Sequence, residues 1–361
     1  MAYKLLIINP GSTSTKIGIY EDETIKHETT IRHSPEELLA FRNTVAQKQY
    51  RLNHIINFLD DNHHPLETFD VFVGRGGLVK PVESGTYSIN QEMIDDLVIS
   101  KYGDHMSNMG TILAFELGKK YSKPAYMVDP VVVDEMSDIA RVSGLKGIHR
   151  ISIFHALNQK AVAKKYAKTV KKRYEDLNLI VYHMGGGISV GYHHLGHVID
   201  VNNAYGGDGP FSPERVGGLP TFQLAKFARE SKVKNEQEFN KYLVSKGGLY
   251  SYLGTTSGIE IKNRINNGDT EAALIFEAMA YQTIKEIGSL YFIGKGEIDQ
   301  VIFTGGLVQN EVFVEYLLKY LPKFVSYTLY PGEDELEALA QGALRVLNGH
   351  ESLKQYKRNN E

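Results

Sequence analysis

The 361-residue chain contains no cysteine and no tryptophan. Without thiols there are no disulfides, no zinc–thiolate sites and no cysteine nucleophile, which suits a reducing cytoplasm. Neither sign of charge dominates: 40 Lys and Arg against 43 Asp and Glu leave a formal net charge of −3. No global basic field is present to draw in DNA or RNA, so no nucleic-acid partner is expected. The one basic run, Lys164 to Arg173, reads as the solvated face and end of a helix. Long hydrophobic runs are missing too. Leu5-Leu6-Ile7-Ile8 is stopped by Pro10-Gly11, too short for a signal-peptide core or a membrane span. It reads as a buried first strand, with no membrane partner. Low-complexity tracts are absent apart from a polar tail, Lys354 to Glu361, expected to fray.

What is present is alternation, over a length that accommodates two domains. Strand-like runs at Leu5–Asn9, Asp70–Gly74, Ala125–Val128, Leu179–His183, Gln300–Phe303 and Phe324–Leu329 alternate with amphipathic stretches. That pattern argues for an α/β fold. Ser34-Pro35-Glu36-Glu37 supplies a cap, a proline for the first helical position and the acid of a capping box. A helix from about Thr270 to Tyr291 is expected to bury Ala278, Tyr281, Ile284 and Leu290. Gly110, Ala114 and Gly118, and Ala338 with Gly342, place small residues one turn apart. Helices of that kind cross closely, and here they either link two lobes as a hinge or pack statically against a sheet.

The most informative feature is a weak internal duplication. Leu5–Pro10 leads through Gly11-Ser12-Thr13-Ser14-Thr15 into Lys16–Tyr20, and Leu179–Met184 leads through Gly185-Gly186-Gly187 into Ile188–Tyr192. A hairpin whose turn carries only Gly, Ser and Thr leaves backbone N–H groups free to close on an anion. Two such turns suit the opposite sides of a polyphosphate. Neither is a Walker A loop or a dinucleotide fingerprint. A third turn, Thr304-Gly305-Gly306, lies between an apolar run and a helix, where a glycine pair permits close approach of a flat or anionic group.

Two phosphate turns followed by a Gly-Gly adenosine turn is the order found in the superfamily of acetate and sugar kinases, heat-shock ATPases and actin. Within it the chain resembles the butyrate kinases of the acetokinase family over nearly its whole length. The resemblance is carried by Asn9–Lys16, Val73-Gly74-Arg75-Gly76-Gly77, Phe154-His155, His183–Gly187, Ser212-Pro213-Glu214-Arg215, Phe303–Leu307 and Tyr330–Glu335, in that order. Acetate kinases differ in usually carrying Asn where this chain has Gly186, and in a longer motif around the first arginine. The resemblance implies a duplicated RNase H-like, actin-like ATPase fold, with two lobes around a nucleotide cleft. Residues 1–150 with the final helix, 336–354, would form one lobe and 151–335 the other. It further implies reversible phosphoryl transfer between ATP and the carboxylate of butyrate or a similar acid, with Mg²⁺, in a homo-oligomer that is at least a dimer.

The residues can support that chemistry. A carboxylate is already ionised at neutral pH and needs no general base. The obstacle is two anions meeting, so catalysis should rest on cations, hydrogen-bond donors and Mg²⁺. Arg75 lies among glycines that would leave room for a substrate, and Arg215 follows Ser212-Pro213-Glu214 in a Gly/Pro-rich stretch. By resemblance Arg75 helps hold the acid, with His105 nearby, and Arg215 holds the transferring phosphoryl group. Resemblance makes His155 a donor to phosphoryl oxygens, and gives Asp129 the placing of Mg²⁺ waters or of a neighbour. It places Ser12, Ser14, Lys16, His183, Gly185, Gly186, Gly187, Gly305 and Gly306 around the nucleotide, and it assigns Asn9 with Asp334 or Glu335 to Mg²⁺ and phosphate. The histidines at 193, 194 and 197 have metal-like spacing but are expected in a solvent-exposed hairpin loop. Rival readings are a kinase for acetate, propionate or isobutyrate, a sugar kinase that would need a base, and a non-enzymatic actin-like ATP-binding protein.

One segment departs from the family. After Gly254, where an Asn/Ser-Asp pair near the nucleotide is usual, the chain has Thr255-Thr256-Ser257-Gly258. A hydroxyl in place of a carboxylate gives up charge-assisted hydrogen bonds, which are about twice as strong as neutral ones. Ser257→Asp should therefore lower the KM for ATP while leaving turnover on saturating butyrate unchanged; steady-state kinetics with varied ATP provide the check.

Overall fold

The computed structural model describes residues 2–231, 233 and 235–358. It divides into two units, Met1–Val133 with Asp334–Glu361, and Asp134–Glu333. The first is built on strands β1 (Lys4–Pro10), β2 (Ser14–Glu21), β3 (Thr24–Arg32), β4 (Val71–Arg75), β5 (Thr86–Ser88) and β6 (Ala125–Val128). The second is built on β7 (Asn178–Met184), β8 (Ile188–His194), β9 (His197–Val201), β10 (Gln300–Gly305) and β11 (Tyr327–Pro331). A short final strand, β12 (Lys354–Gln355), returns to the first sheet. The sheet orders are β12-β5-β6-β4-β1-β2-β3 and β11-β10-β7-β8-β9.

The expected duplication is present in these orders. In each unit the strand entering the turn pairs antiparallel with its successor, β1 with β2 and β7 with β8. Each also pairs parallel with a strand much later in the sequence, β1 with β4 and β7 with β10. Pro10 faces Thr15 at the end of one ladder and Met184 faces Ile188 at the end of the other. Asn9 and His183 therefore occupy equivalent positions, each one residue before the strand ends.

Alternation of side chains across the pleat lets both sheets bury both faces. In the first unit Leu6, Ile8, Ile17, Ile19, Phe72 and Met127 join the helices Lys48–Asp61 and Ser107–Tyr121 in one core. The intervening positions meet the helix Glu335–Leu347: a Cβ on Gly18 would stand 3.2 Å from Leu336, and one on Gly342 2.3 Å from Val128. In the second unit Ile180, Tyr182 and Met184 face Phe276 and Phe313. Leu179 and Val181 face Val162 and Ala163 on the helix Ala156–Thr169.

Several expectations need correction. Tyr281 is 49 % exposed; of the other expected positions on the helix Thr270–Ile293, Leu290 is buried and Ala278 and Ile284 are partly buried against the core, beside Phe276, Met279, Ala280, Thr283 and Ile287. The tail does not fray over its described part, because Lys354 and Gln355 pair with β5 and the buried Tyr356 donates its hydroxyl to Asp96 at 2.8 Å. Residues 359–361 lie outside the described residues. The two helices with small residues both belong to the first unit, where they pack on opposite faces of its sheet, as the static alternative has it. Residues 134–150 belong to the second unit: Ser137 N–H donates to Ile199 O, and Arg150 pairs with Asp200 at 2.7 Å. Among the described residues no helix is long and apolar enough to cross a membrane.

Helix and strand meet backbone to backbone at Gly74, where an added Cβ would stand 2.1 Å from the Gly110 carbonyl oxygen. Both atoms are backbone, so neither can swing aside. Gly74→Ala should destabilise the fold by about 1–3 kcal/mol or more, the usual cost of overpacking a core, read as a lower urea midpoint with an unchanged slope.

Candidate active site

The carboxyl ends of parallel strands are where α/β sheets present ligand-binding groups. In the first unit β1, β4 and β6 end at or next to Asn9, Arg75 and Asp129. The Asn9 amide donates to Glu335 Oε2 at 2.6 Å, and Arg75 Nη1 donates to the same oxygen at 2.7 Å and to Asn9 Oδ1 at 3.2 Å. Glu335, at the first turn of its helix, thus joins Asn9 and Arg75. Its neighbour Asp334 instead lies near Tyr20, whose hydroxyl is pushed up by burial and by Asp334 and Glu337. Asp129 adopts a left-handed φ of 37° and is buried. Its Oδ1 accepts from the Ser84 hydroxyl and the Gly85 N–H, both at 2.7 Å.

The glycines around Arg75 do not open space for a substrate. Added Cβ atoms at Gly74, Gly76 and Gly77 would strike Gly110, Pro130 and Asn108, so these glycines let the chain pack. His105 binds the Ser107 hydroxyl through Nδ1 at 2.8 Å, at the start of the helix Ser107–Tyr121. Lys16 pairs with Glu28 on β3 at 2.7 Å.

The first turn has an organiser that the sequence did not reveal. Arg51 is fully buried, and donates to Ser14 O at 2.8 Å, Ser12 O at 2.9 Å, Thr15 Oγ1 at 3.0 Å and Gln47 Oε1 at 2.9 Å. Burial lowers its guanidinium to about 10, which still leaves it charged at neutral pH. By engaging the carbonyls of the turn, Arg51 leaves the serine side chains outward. His33 Nε2 meets Thr15 Oγ1 at 2.8 Å.

In the second unit the glycine turn Gly185–Gly187 is surrounded by polar groups. A Cβ on Gly187 would stand 2.1 Å from Arg215 Nη1, and one on Gly185 would stand 2.7 Å from Glu333 Oε1. A side chain at 187 would displace the Arg215 guanidinium. The Ser212 hydroxyl donates to Gly186 O at 2.7 Å, which ties the segment bearing Arg215 to the turn. Arg215 donates to Ala204 O and lies over the Tyr205 ring at 5.5 Å. Its Nε is buried without a hydrogen-bond partner, and burial lowers its pKa against the opposing pull of Glu214 and Tyr205. His155 and His183 stack at 3.8 Å with 16° between their rings. His183 Nδ1 meets Asn158 Oδ1 at 2.8 Å; Nε2 lies 3.2 Å from Glu333 Oε1 but outside hydrogen-bonding alignment. Gly305 has a φ of 98° and abuts the Met184 backbone, whereas Gly306 faces open space.

Other sequence expectations fare differently. The three histidines of the β8–β9 hairpin do not form an exposed loop: His193 is fully buried between Tyr174 and Gln159, and only His197 is largely exposed. The strands run through them, and their alternating faces separate His193 from His194. Ser257 caps the helix Gly258–Asn266 by accepting from Glu260 N–H at 3.2 Å, a task that aspartate also performs. Among the described residues no group of three or more His, Asp or Glu side chains converges on a metal position. Sequence reasoning gave no role to Arg51, Glu333, Gln159 or Ser189. Of these only Glu333, inside the Tyr330–Glu335 motif, and Ser189, two residues past the glycine turn, carried a signal.

Residues 140–331 match the model of the acetokinase family. Butyrate kinase 1 of Clostridium acetobutylicum is 50 % identical over 358 residues, covering 98 % of this chain and 100 % of that one. Butyrate kinase 2 of the same organism is 48 % identical over 357 residues, covering 99 % and 100 %. Among solved structures, the acetate kinase of Porphyromonas gingivalis shares the fold with a TM-score of 0.74 at 17 % identity, covering 96 % of this chain and 100 % of that one.

Burial and the adjacent Arg51 push the His33 imidazole from its usual 6.5 down to about 4. Between those values the unfolded chain binds a proton that the folded chain refuses, so stability falls as pH drops through this window. His33→Gln should lose less stability than the parent between about pH 7 and pH 5, as seen in melting temperatures recorded across that range.

Proposed function

The chain belongs to the acetokinase family, and from that premise we propose that it is a butyrate kinase. It moves a phosphoryl group reversibly between ATP and the carboxylate of butyrate or a similar short-chain fatty acid, giving butyryl phosphate and ADP. The observation that carries the carboxylate acceptor is a pair of arginines, one at each motif. Arg75 is held by Asn9 and Glu335, and the Asp129 carboxylate is engaged by Ser84 and Gly85. A sugar kinase would need a base for its hydroxyl acceptor; an ionised acid needs cations that relieve repulsion. The choice of butyrate rests on the full-length relatives of that name.

In this reading the Arg75 fork and His105 receive the acid, while Asp129 holds the loop that follows β6 in place. Arg215 binds the transferring phosphoryl group; its buried, unpartnered Nε favours an anion arriving beside the glycine turn. His155 donates to phosphoryl oxygens. The backbone N–H groups of Ser12–Ser14 and of Gly186 and Gly187 bind nucleotide phosphates, the Gly185 N–H being held by Gly187 O at 3.0 Å, with His183 beside the second turn and Lys16 on the strand leaving the first. Gly305 and Gly306 give the adenosine a close approach. Mg²⁺ takes a few hard oxygens from protein, and the Asn9 amide oxygen with the Glu335 carboxylate fits that chemistry better than Asp334 does. When bound, the ion neutralises phosphate charge. The cytoplasm is the compartment that supplies ATP for this reaction. A homo-oligomer, at least a dimer, belongs to the same proposal, supported by the exposed apolar row Ile139, Val142, Leu145, Ile148 and Ile151.

Arg75→Ala and Arg215→Ala should each lower turnover by roughly a hundredfold, the ~3 kcal/mol typical of a preorganised donor, and Arg75→Ala should also raise the KM for the acid. A coupled assay offering butyrate, acetate and glycerol is the test. Preference for glycerol, or near-normal turnover in either variant, would overturn the reading.

A further inference from the structure

An unbroken line of hydrogen bonds runs through the second unit and ends on His155. The Tyr174 hydroxyl lies 2.7 Å from His193 Nδ1, and His193 Nε2 lies 2.9 Å from Gln159 Oε1. Gln159 Nε2 lies 2.8 Å from Ser189 Oγ and 3.1 Å from Ser189 O, and Ser189 Oγ lies 2.8 Å from His155 Nδ1. His193, Gln159 and Ser189 are all fully buried, so water offers no alternative partners.

Donor and acceptor capacities resolve every hydrogen in this line. The Ser189 carbonyl can only accept, so the Gln159 amide must turn its nitrogen towards Ser189 and its oxygen towards His193. That oxygen requires a hydrogen on His193 Nε2. Burial holds the His193 imidazole well below its ordinary value, hence neutral, and its Nδ1 accepts from Tyr174. The two amide hydrogens of Gln159 go to the carbonyl and the hydroxyl of Ser189. The Ser189 oxygen is now an acceptor, and the His155 backbone N–H also approaches it, at 3.5 Å. The one group beside the hydroxyl able to take its hydrogen is His155 Nδ1.

We propose that Ser189, oriented by Gln159 and His193, is a positioning residue that fixes His155 as the neutral Nε2–H tautomer, aiming an N–H rather than a lone pair at the phosphoryl oxygens. The proposal rests on the reading of His155 as a phosphoryl donor. Stacking on His183 at 3.8 Å works in the same direction, because two imidazoliums at that separation would repel. Ser189 faces His183 across the ladder, two residues past Gly187. The strand that leaves the phosphate turn therefore also orients the donor beside it.

Histidine tautomers are distinguished by the ¹⁵N shifts of the two ring nitrogens in long-range ¹H–¹⁵N correlation spectra, with His155 assigned through His155→Gln. The wild-type protein at neutral pH should show the Nε2–H form at His155. In Ser189→Ala the Nδ1–H form should become populated, and turnover on butyrate should fall about ten- to a hundredfold, within the contribution of one positioned donor, with little change in either KM. Gln159→Leu should give the same spectral change, which keeps the test open should either variant fold poorly. Nδ1–H or imidazolium in the wild type, a wild-type tautomer in both variants, or unchanged turnover in Ser189→Ala would overturn the proposal. Normal turnover in His155→Gln would instead remove the donor reading beneath it, whatever tautomer the spectra report.

Discussion

Parallel pairing of the strand that enters each turn with a strand from much later in the chain is the constraint on which both units depend. Ile8 beside Gly74 brings Asn9 next to Arg75, and His183 beside Thr304 brings the glycine turn next to Gly305. Parallel ladders need crossovers with helices that cover the faces, and those helices come close where a glycine removes a side chain. Gly74 against Gly110 is one such place. The carboxyl ends of the strands then present side chains in fixed registers, and loops need only decorate them.

The two turns achieve rigidity by different means. The second is held from outside, by Ser212 on Gly186 O and by a guanidinium occupying the space that a side chain at 187 would take. The first is held from beneath by Arg51, whose donors face carbonyl and hydroxyl oxygens of the turn. A buried cation is costly unless its hydrogen bonds are met; here the turn itself meets them. Charge within the fold thereby keeps the solvent side of the turn for N–H groups and hydroxyls, the groups an anion needs.

Much of this was legible in the sequence, for a physical reason. Short apolar runs gave Ala125–Val128, between Pro124 and Asp129, its exact bounds and the other strand cores to within a few residues, because burial on both faces demands continuous apolar character. The least accurate was Phe324–Leu329, whose real strand begins at Tyr327. Turn composition led to the duplication. What sequence could not convey was partnership across distance. Arg51 reads as an ordinary charged helix residue until Ser12 and Ser14 are seen against it. His193 reads as a loop residue until Tyr174 and Gln159 close around it. The glycines near Arg75 suggested room, yet their missing side chains are occupied by Gly110, Pro130 and Asn108. Glycine signals close approach without saying what approaches.

The first unit is discontinuous, beginning the chain and ending it, with the second inserted between Val133 and Asp334. Synthesis runs from the N-terminus, and domains fold as units as they emerge. The inserted unit has all its strands before Glu335 leaves the ribosome, whereas Arg75 and Asn9 must wait for that carboxylate. One face of the first sheet stays bare until Leu336, Leu339 and Ala343 arrive, and its edge stays open until Lys354 pairs with Tyr87. A nascent chain thus carries an exposed apolar face from the completion of β6 until that helix is made, and the cluster around Arg75 is assembled only after the inserted unit.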